Sequence, residues 1–188
     1  MMSAVQRDPK LIDLELVKQV KAGNKTAFNI LVRTHQRGVY ALIFSMLRDH
    51  FATDDVVQDS FVKAYRHIMS FEAKSSFKSW LYSIAINTAK NALKSSSLRQ
   101  TVDIEQTVFQ VSPRAVEAIE EQQLQTILAK EIEKLPDKQK LALTLRIFDD
   151  LSFEEIAKIM ECPYNTAKAN FRHAINNLRK HARILDAV

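Results

Sequence analysis

The sequence predicts an all-α fold, two small helical domains joined by a flexible linker. Three observations carry that expectation. Apolar residues recur at helical spacing along most of the 188 residues, the chain holds only 2 Gly and 4 Pro, and the periodicity lapses between Ser95 and Ser112. Hairpins and bulges consume Gly, Asn-Gly and Pro, so a many-turned β architecture is disfavoured. The same scarcity excludes phosphate-cradling loops, which need clustered glycines, whereas Gly23 and Gly38 stand apart. The single cysteine, Cys162, allows no internal disulfide and no thiolate-rich zinc site, and suits a reducing compartment. No apolar run follows Arg7, Asp8 and Lys10, and none approaches membrane-spanning length, so a cytoplasmic chain without membrane insertion is expected.

Taken in order, the first helix spans Leu11 to Ala22 with Leu14, Val17 and Val20 inward, and Gly23 can take the positive φ that closes it. A second helix starts near Lys25 (Phe28, Leu31, Val32) and its pattern resumes through Tyr40, Ile43, Phe44 and Leu47. Thr53 is expected to cap the third helix, placing Asp54 and Asp55 in its first turn against the positive dipole end. Its core stripe reads Val57, Phe61, Ala64 or Tyr65, and Ile68. Residues Phe71 to Ser76 read as a loop, and a fourth helix from Phe77 to Leu93 buries Leu81, Ile84, Ala85 and Thr88. These helices make a domain over residues 1–95, followed by a linker over 96–114 and a second domain over 115–188. The second domain opens with helices over Ala115 to Leu135, ended by Pro136, and Lys138 to Phe148. Ser152-Phe153-Glu154-Glu155 is a capping box opening a short helix that stops at Glu161-Cys162-Pro163. Pro163 suits the start of the last helix, which runs to about Ile184.

Net charge is +5, but position says more than the total. Met1 to Arg48 carries eight Lys/Arg against three acids. Asp49, Asp54, Asp55 and Asp59 then form an acidic knot, after which Ser60 to Val102 holds seven bases and Glu72 alone. Asp103 to Glu133 is acidic again, and Cys162 to Arg183 has five bases and no acid. A block of one sign is often only a solvated face. The two later basic stretches, divided by an acidic one, fit two separate contacts with a polyanion.

The last helix has an apolar stripe (Ala167, Phe171, Ala174, Ile175, Leu178, Ala182) opposite Asn165, Lys168, Arg172, Asn176 and Arg179. A short capped helix, a tight turn and this second helix have the form of a helix-turn-helix, able to enter a major groove. Equally, the pattern fits an amphipathic surface helix. In the first domain, Phe71, Phe77, Trp80 and Tyr82 are interleaved with Lys74, Lys78, Lys90 and Lys94, while Asn87, Lys90, Asn91 and Lys94 share a helix face. Lysines can track a phosphate backbone while aromatics stack on unpaired bases. Phe77 and Trp80 serve as well in a core, and for Phe77 the core is the better reading. Asp54, Asp55 and Asp59 could hold magnesium for diphosphate chemistry, or simply cap a helix. The chain has only one such motif and no clear second ligand set, and its five histidines are scattered without a catalytic order. A non-enzymatic chain with no cofactor and no metal is expected.

Together these segments resemble the bacterial RNA polymerase sigma factors of the extracytoplasmic-function (ECF) type. The resemblance rests on Leu16-Val17 through Gly23-Asn24 and Ala27-Phe28, on Asp54-Asp55-Val56-Val57-Gln58-Asp59-Ser60-Phe61-Val62-Lys63-Ala64-Tyr65, and on Phe77-Lys78-Ser79-Trp80-Leu81-Tyr82-Ser83-Ile84-Ala85-Ile86-Asn87. In the second domain it rests on Leu135-Pro136, Leu151-Ser152-Phe153-Glu154-Glu155-Ile156-Ala157 and Asn165-Thr166-Ala167-Lys168. It implies a sigma region 2 helical bundle and a sigma region 4 helix-turn-helix, with core RNA polymerase, promoter DNA and an anti-sigma factor as partners. The last of these could hold the chain at the membrane. By resemblance, Asp55, Val56, Gln58, Asp59 and Phe61 dock on the clamp coiled coil of the polymerase's largest subunit. Phe71, Lys74, Ser75, Phe77, Trp80, Asn87, Lys90 and Asn91 would grip the melted strand of the −10 element. Tyr164, Asn165, Thr166, Lys168, Ala169, Asn170, Arg172 and His173 would read the −35 element as duplex. Asn165, Ala167, Ala169, Asn170 and His173 depart from the family's usual residues, and at Asn170 and His173 an arginine is lost. The alternative is a helix-turn-helix regulator acting without core polymerase.

Overall fold

In the computed structural model the described residues are 8–97, 128 and 130–185, with side chains described for 8–95, 128 and 130–180. They form helices α1 (Pro9–Lys21), α2 (Lys25–Leu47), α3 (His50–His67), α4 (Phe77–Ser97), α5 (Asp137–Ile147), α6 (Phe153–Met160) and α7 (Tyr164–Leu185), plus a 3-10 turn at Ile68–Ser70. The chain divides into two compact units, Met1–Thr101 and Val102–Val188. Most of the expected linker, and all but the end of the helix expected over 115–135, lie outside the described residues. Residues 96 and 97 still belong to α4.

Local chemistry sets the breaks between helices. Asp8 caps α1 by accepting from the Lys10 amide at 2.9 Å. At its other end Gly23 takes φ +96°. The Gly23 amide donates to the Val20 carbonyl at 2.9 Å and the Asn24 amide to Gln19 at 3.0 Å, the paired bonds of a Schellman motif. Asn24 then opens α2, its Oδ1 accepting from Thr26 at 3.0 Å. One residue thus closes one helix and starts the next. α3 starts earlier than the sequence suggests, because Asp49 is its cap and accepts from the Ala52 amide at 2.7 Å. Thr53 is fully buried, its Oγ1 without a hydrogen-bond partner, and Asp54 and Asp55 fall in the second turn. The first unit packs Leu31, Val39, Leu42 and Ile43 of α2 against Ala64 and Ile68 and against Leu81, Tyr82, Ala85 and Ile86 of α4. On α3 it is Val56 rather than Val57 that is buried, and on α4 Ile84 is only half-buried.

α1 is keyed to α2 by a polar contact inside this core. Asp13 Oδ2 and His35 Nε2 lie 2.9 Å apart, both side chains 9% exposed, with the His35 ring 5.5 Å from that of Phe77. A buried charge is tolerated when a partner satisfies it, and this pair joins residues 22 apart in the chain.

In the second unit Leu135, Leu143 and Ala174 pack with Ile132, Phe171, Ile175 and Leu178, joining α5 to α7. Asn177 donates to Gln139 Oε1 at 2.9 Å across the same contact. Arg146 donates to the Leu151 carbonyl at 2.8 Å, and its guanidinium lies 5.4 Å from the Phe153 ring centre. The capping box forms as expected: the Glu155 amide donates to Ser152 Oγ at 3.2 Å, and the Ser152 amide to Glu155 Oε2 at 3.0 Å. Ser152→Ala therefore costs about 1 kcal/mol. Thermal unfolding of the full chain checks it, the second unit's transition falling by about 4–8 °C; an unmoved transition contradicts the reciprocal cap.

Candidate nucleic-acid interface

Three surfaces hold the residues singled out from the sequence. On α3, Asp55, Gln58 and Asp59 are exposed, whereas Val56 is 6% and Phe61 7% exposed. Val56 therefore serves the core rather than the surface. Phe61 forms the floor of a groove of about 740 Å³ between α2 and α3, lined also by Phe28, Val32, Asp54, Gln58 and Tyr65. Asp55 and Asp59 lie one helical turn apart on the same face. Asp59 pairs with Lys63 at 2.7 Å, but both groups are exposed and such a pair is worth about 0–1 kcal/mol, so it yields to a better partner. The start of α3 is braced by stacked rings: Phe44 and His50 are 4.5 Å apart, and the Tyr40 hydroxyl lies 2.6 Å from His50 Nδ1. Desolvation, and secondarily the Asp54 carboxylate, raise the Tyr40 phenol above its ordinary value.

The second surface is the face of α4 and the loop before it. Asn87, Asn91 and Lys94 are exposed and Lys90 half-buried, at positions that share one face. Trp80 is half-buried on nearly the same side, and Lys74 and Ser75 stand on the loop, Lys74 exposed and paired with Glu72. Phe71 is a correction to the base-stacking expectation, and Phe77 takes the core place that the sequence favours for it. They are 5% and 1% exposed, with rings 6.0 Å apart and edge-on, and their place is beneath the surface. Phe71 also lies 5.1 Å from Trp80, so the buried pair supports the half-exposed indole. Tyr82 is fully buried, with the Lys78 ammonium 5.5 Å from its ring centre. One cation was missed from the sequence. Lys63 of α3 reaches Thr88 Oγ1 at 3.2 Å and adds charge at the flank of α4. Nothing in a separation of 25 residues signals that contact.

The third surface is α7. Tyr164, Asn165, Thr166, Lys168, Ala169, Arg172 and His173 are exposed, while Ala167 and Ala174 are fully buried on the opposite side. Asn170 is half-buried and its amide donates to the Thr166 carbonyl at 2.9 Å, so that nitrogen is engaged within the helix. The turn before α7 is made without glycine: Glu161 takes φ +53° and Cys162 donates to the Ala157 carbonyl at 3.0 Å. α6 packs on α7 through Phe153, whose ring is 5.5 Å from Phe171 and 6.3 Å from Tyr164. This is a helix-turn-helix with one amide-and-cation face turned outward. Among the described residues no group of three or more His, Cys, Asp or Glu could hold a metal ion, and no helix is long and apolar enough to cross a membrane.

Comparison with known proteins gives the family. Residues 31–99 match the model of Sigma-70 region 2, and residues 125–178 that of Sigma-70, region 4. The chain is 41% identical to the ECF RNA polymerase sigma-E factor of Escherichia coli (strain K12), covering 89% of this chain and 94% of that one. The chain belongs to the ECF sigma factors. It is also 37% identical to the RNA polymerase sigma-H factor of Pseudomonas aeruginosa, over 86% of this sigma factor and 89% of that one. Its fold resembles that of the sigma factor RpoE solved with the anti-sigma factor NepR from Bartonella quintana. That match has a TM-score of 0.68 and 23% identity, over 84% of this chain and 97% of that one. As a sigma factor, the chain binds core RNA polymerase and directs it to promoters.

Proposed function

We propose that the three surfaces divide the work of a sigma factor among them. Residues 1–95 act as region 2 and 115–188 as region 4, with 96–114 between them. Asp55, Gln58 and Asp59 meet the clamp coiled coil of the largest polymerase subunit beside the groove floored by Phe61. Val56 keeps α3 seated. Lys74, Ser75, Trp80, Asn87, Lys90 and Asn91 hold the melted −10 strand, braced from below by Phe71 and Phe77. Tyr164, Asn165, Thr166, Lys168, Ala169, Arg172 and His173 face the −35 duplex, with Asn170 contributing through its carbonyl oxygen. The chain performs no chemistry of its own, acts in the cytoplasm, and is held inactive by an anti-sigma factor.

The observation that carries this reading is the presence, in two separate units, of two different basic faces. The α4 face has an indole beside it, suited to unpaired bases, and the α7 face lies on a helix-turn-helix, suited to duplex. Run-off transcription with purified core polymerase tests it, on promoters recovered by selection with the reconstituted holoenzyme. Core with the chain should start at one site on each promoter, and core without it should not. A chain that binds duplex tightly alone and gives no specific start with core is instead a free-standing regulator.

A further inference from the structure

We infer that Lys21 is a positioning residue for the loop of residues 72–75, an inference that rests on the proposed role of that loop at the melted strand. Lys21 closes α1, yet its side chain crosses to another part of the fold. Its Nζ donates to the Phe71 carbonyl at 2.6 Å, between residues 50 apart in the chain. The Phe71 amide in turn donates to the Ile68 carbonyl at 3.2 Å, and the Phe71 ring is wedged against Phe77 and Trp80. The far end of the loop is also held. Ser76 accepts from the Ser79 amide through Oγ at 3.2 Å, and from the Trp80 amide through its carbonyl at 3.1 Å.

The four residues between these anchors, Glu72, Ala73, Lys74 and Ser75, are exposed or half-buried. Ala73 takes φ +57°, a conformation that an L-residue keeps only when its surroundings enforce it. The peptide at Phe71 is the first of the two anchors. A charge-assisted bond from an ammonium is stronger than a neutral one, and Lys21 is half-buried, so water competes for it less than at an open surface. α1 does not depend on this bond for its own seat. Leu16, Val17 and Val20 are buried, and Asp13 is paired with His35. Loss of the ammonium therefore leaves α1 docked and frees the plane of the Phe71 peptide, from which the loop departs and on whose residue Trp80 rests.

The test compares Lys21→Met, which keeps most of the aliphatic stem without the donor, with Lys21→Arg, which keeps a cationic donor. In the full-length chain, hydrogen exchange at the amides of residues 72–75 should rise by roughly threefold to tenfold in Lys21→Met and return towards wild type in Lys21→Arg. In holoenzyme, Lys21→Met should melt a promoter selected by the wild type less well by a similar factor. Its preference among bases of the −10 element should flatten, while core affinity and −35 preference stay unchanged and the thermal midpoint falls only by the several degrees that loss of one such bond costs. Unchanged exchange at 72–75 overturns the positioning role whatever the DNA result. So does a defect that tracks core affinity and is not restored by arginine. If exchange rises while melting and base preference hold, and Lys74→Ala with Asn87→Ala also leaves them intact, the failure lies in the role proposed for the loop. Lys21 is then not a determinant of −10 recognition.

Discussion

On the proposed docking role, Asp55→Lys should weaken binding of the chain to core RNA polymerase by about 2–4 kcal/mol, the range seen when one partner of a desolvated charge pair is lost. Asp55 is exposed on α3 and its side chain makes no hydrogen bond or ion pair among the described residues, so its carboxylate is available to an incoming cation. A lysine there removes that attraction and adds repulsion at the same point. Asp55→Asn, which removes only the charge, should lose less. The fold is not at risk, because the residues that seat α3 are Val56, Ser60, Phe61 and Ala64, all buried. The check is competition for core between labelled wild-type chain and each variant, with the thermal midpoint measured alongside. Raising the salt should narrow the difference, since the encounter is partly steered by charge. Equal affinities for wild type and Asp55→Lys would remove α3's acidic face from the docking surface.

Lys168→Ala costs the holoenzyme about 1–3 kcal/mol at the −35 duplex if the ammonium reads a base edge. Few other cations share its task. Arg172 lies one turn further along the same face, and the Asn170 amide is engaged by Thr166. No acid lies on α7 to compete for Lys168 within the helix. The manner of the loss identifies the contact. A base reader loses discrimination at one position. A phosphate contact weakens all sequences alike and lowers the salt slope by about 1. Titration of the −35 duplex across salt concentrations, with single-base variants, separates the two. Wild-type transcription by the mutant would take Lys168 out of the interface.

Much of the fold was legible because the signals are local. Helix periodicity, the closing Gly23 and the Ser152–Glu155 box depend on residues within a turn or two of one another. The start of α3 was misread for a reason that is also physical. Asp49 and Thr53 are both able caps, and only the packing that buries Thr53 excludes it from the role. The periodicity places Val57 on the core stripe, and the packing of α3 against α2 and α4 buries its neighbour Val56 instead. The site was legible as a set of polar faces but not in depth. Phe71 and Phe77 have the composition of a stacking platform, and the rings and chains around them in the fold, Trp80 and His35 included, turn them into its support. Lys21 and Lys63 reach across 50 and 25 residues, where no pattern in one sequence pairs a cation with its acceptor.

Each of the two units has its own buried core, and each proposed DNA contact belongs to one unit alone. Recognition split in this way works as a conjunction. Once one unit is bound, the other searches at a local concentration set by the chain between them, so two individually poor contacts multiply into one selective one. A promoter with a good half and a bad half then loses most of the gain, because the multiplying factor is what is missing. On the proposed contacts, the strength of the α7 face would set how complete a promoter must be before it is used.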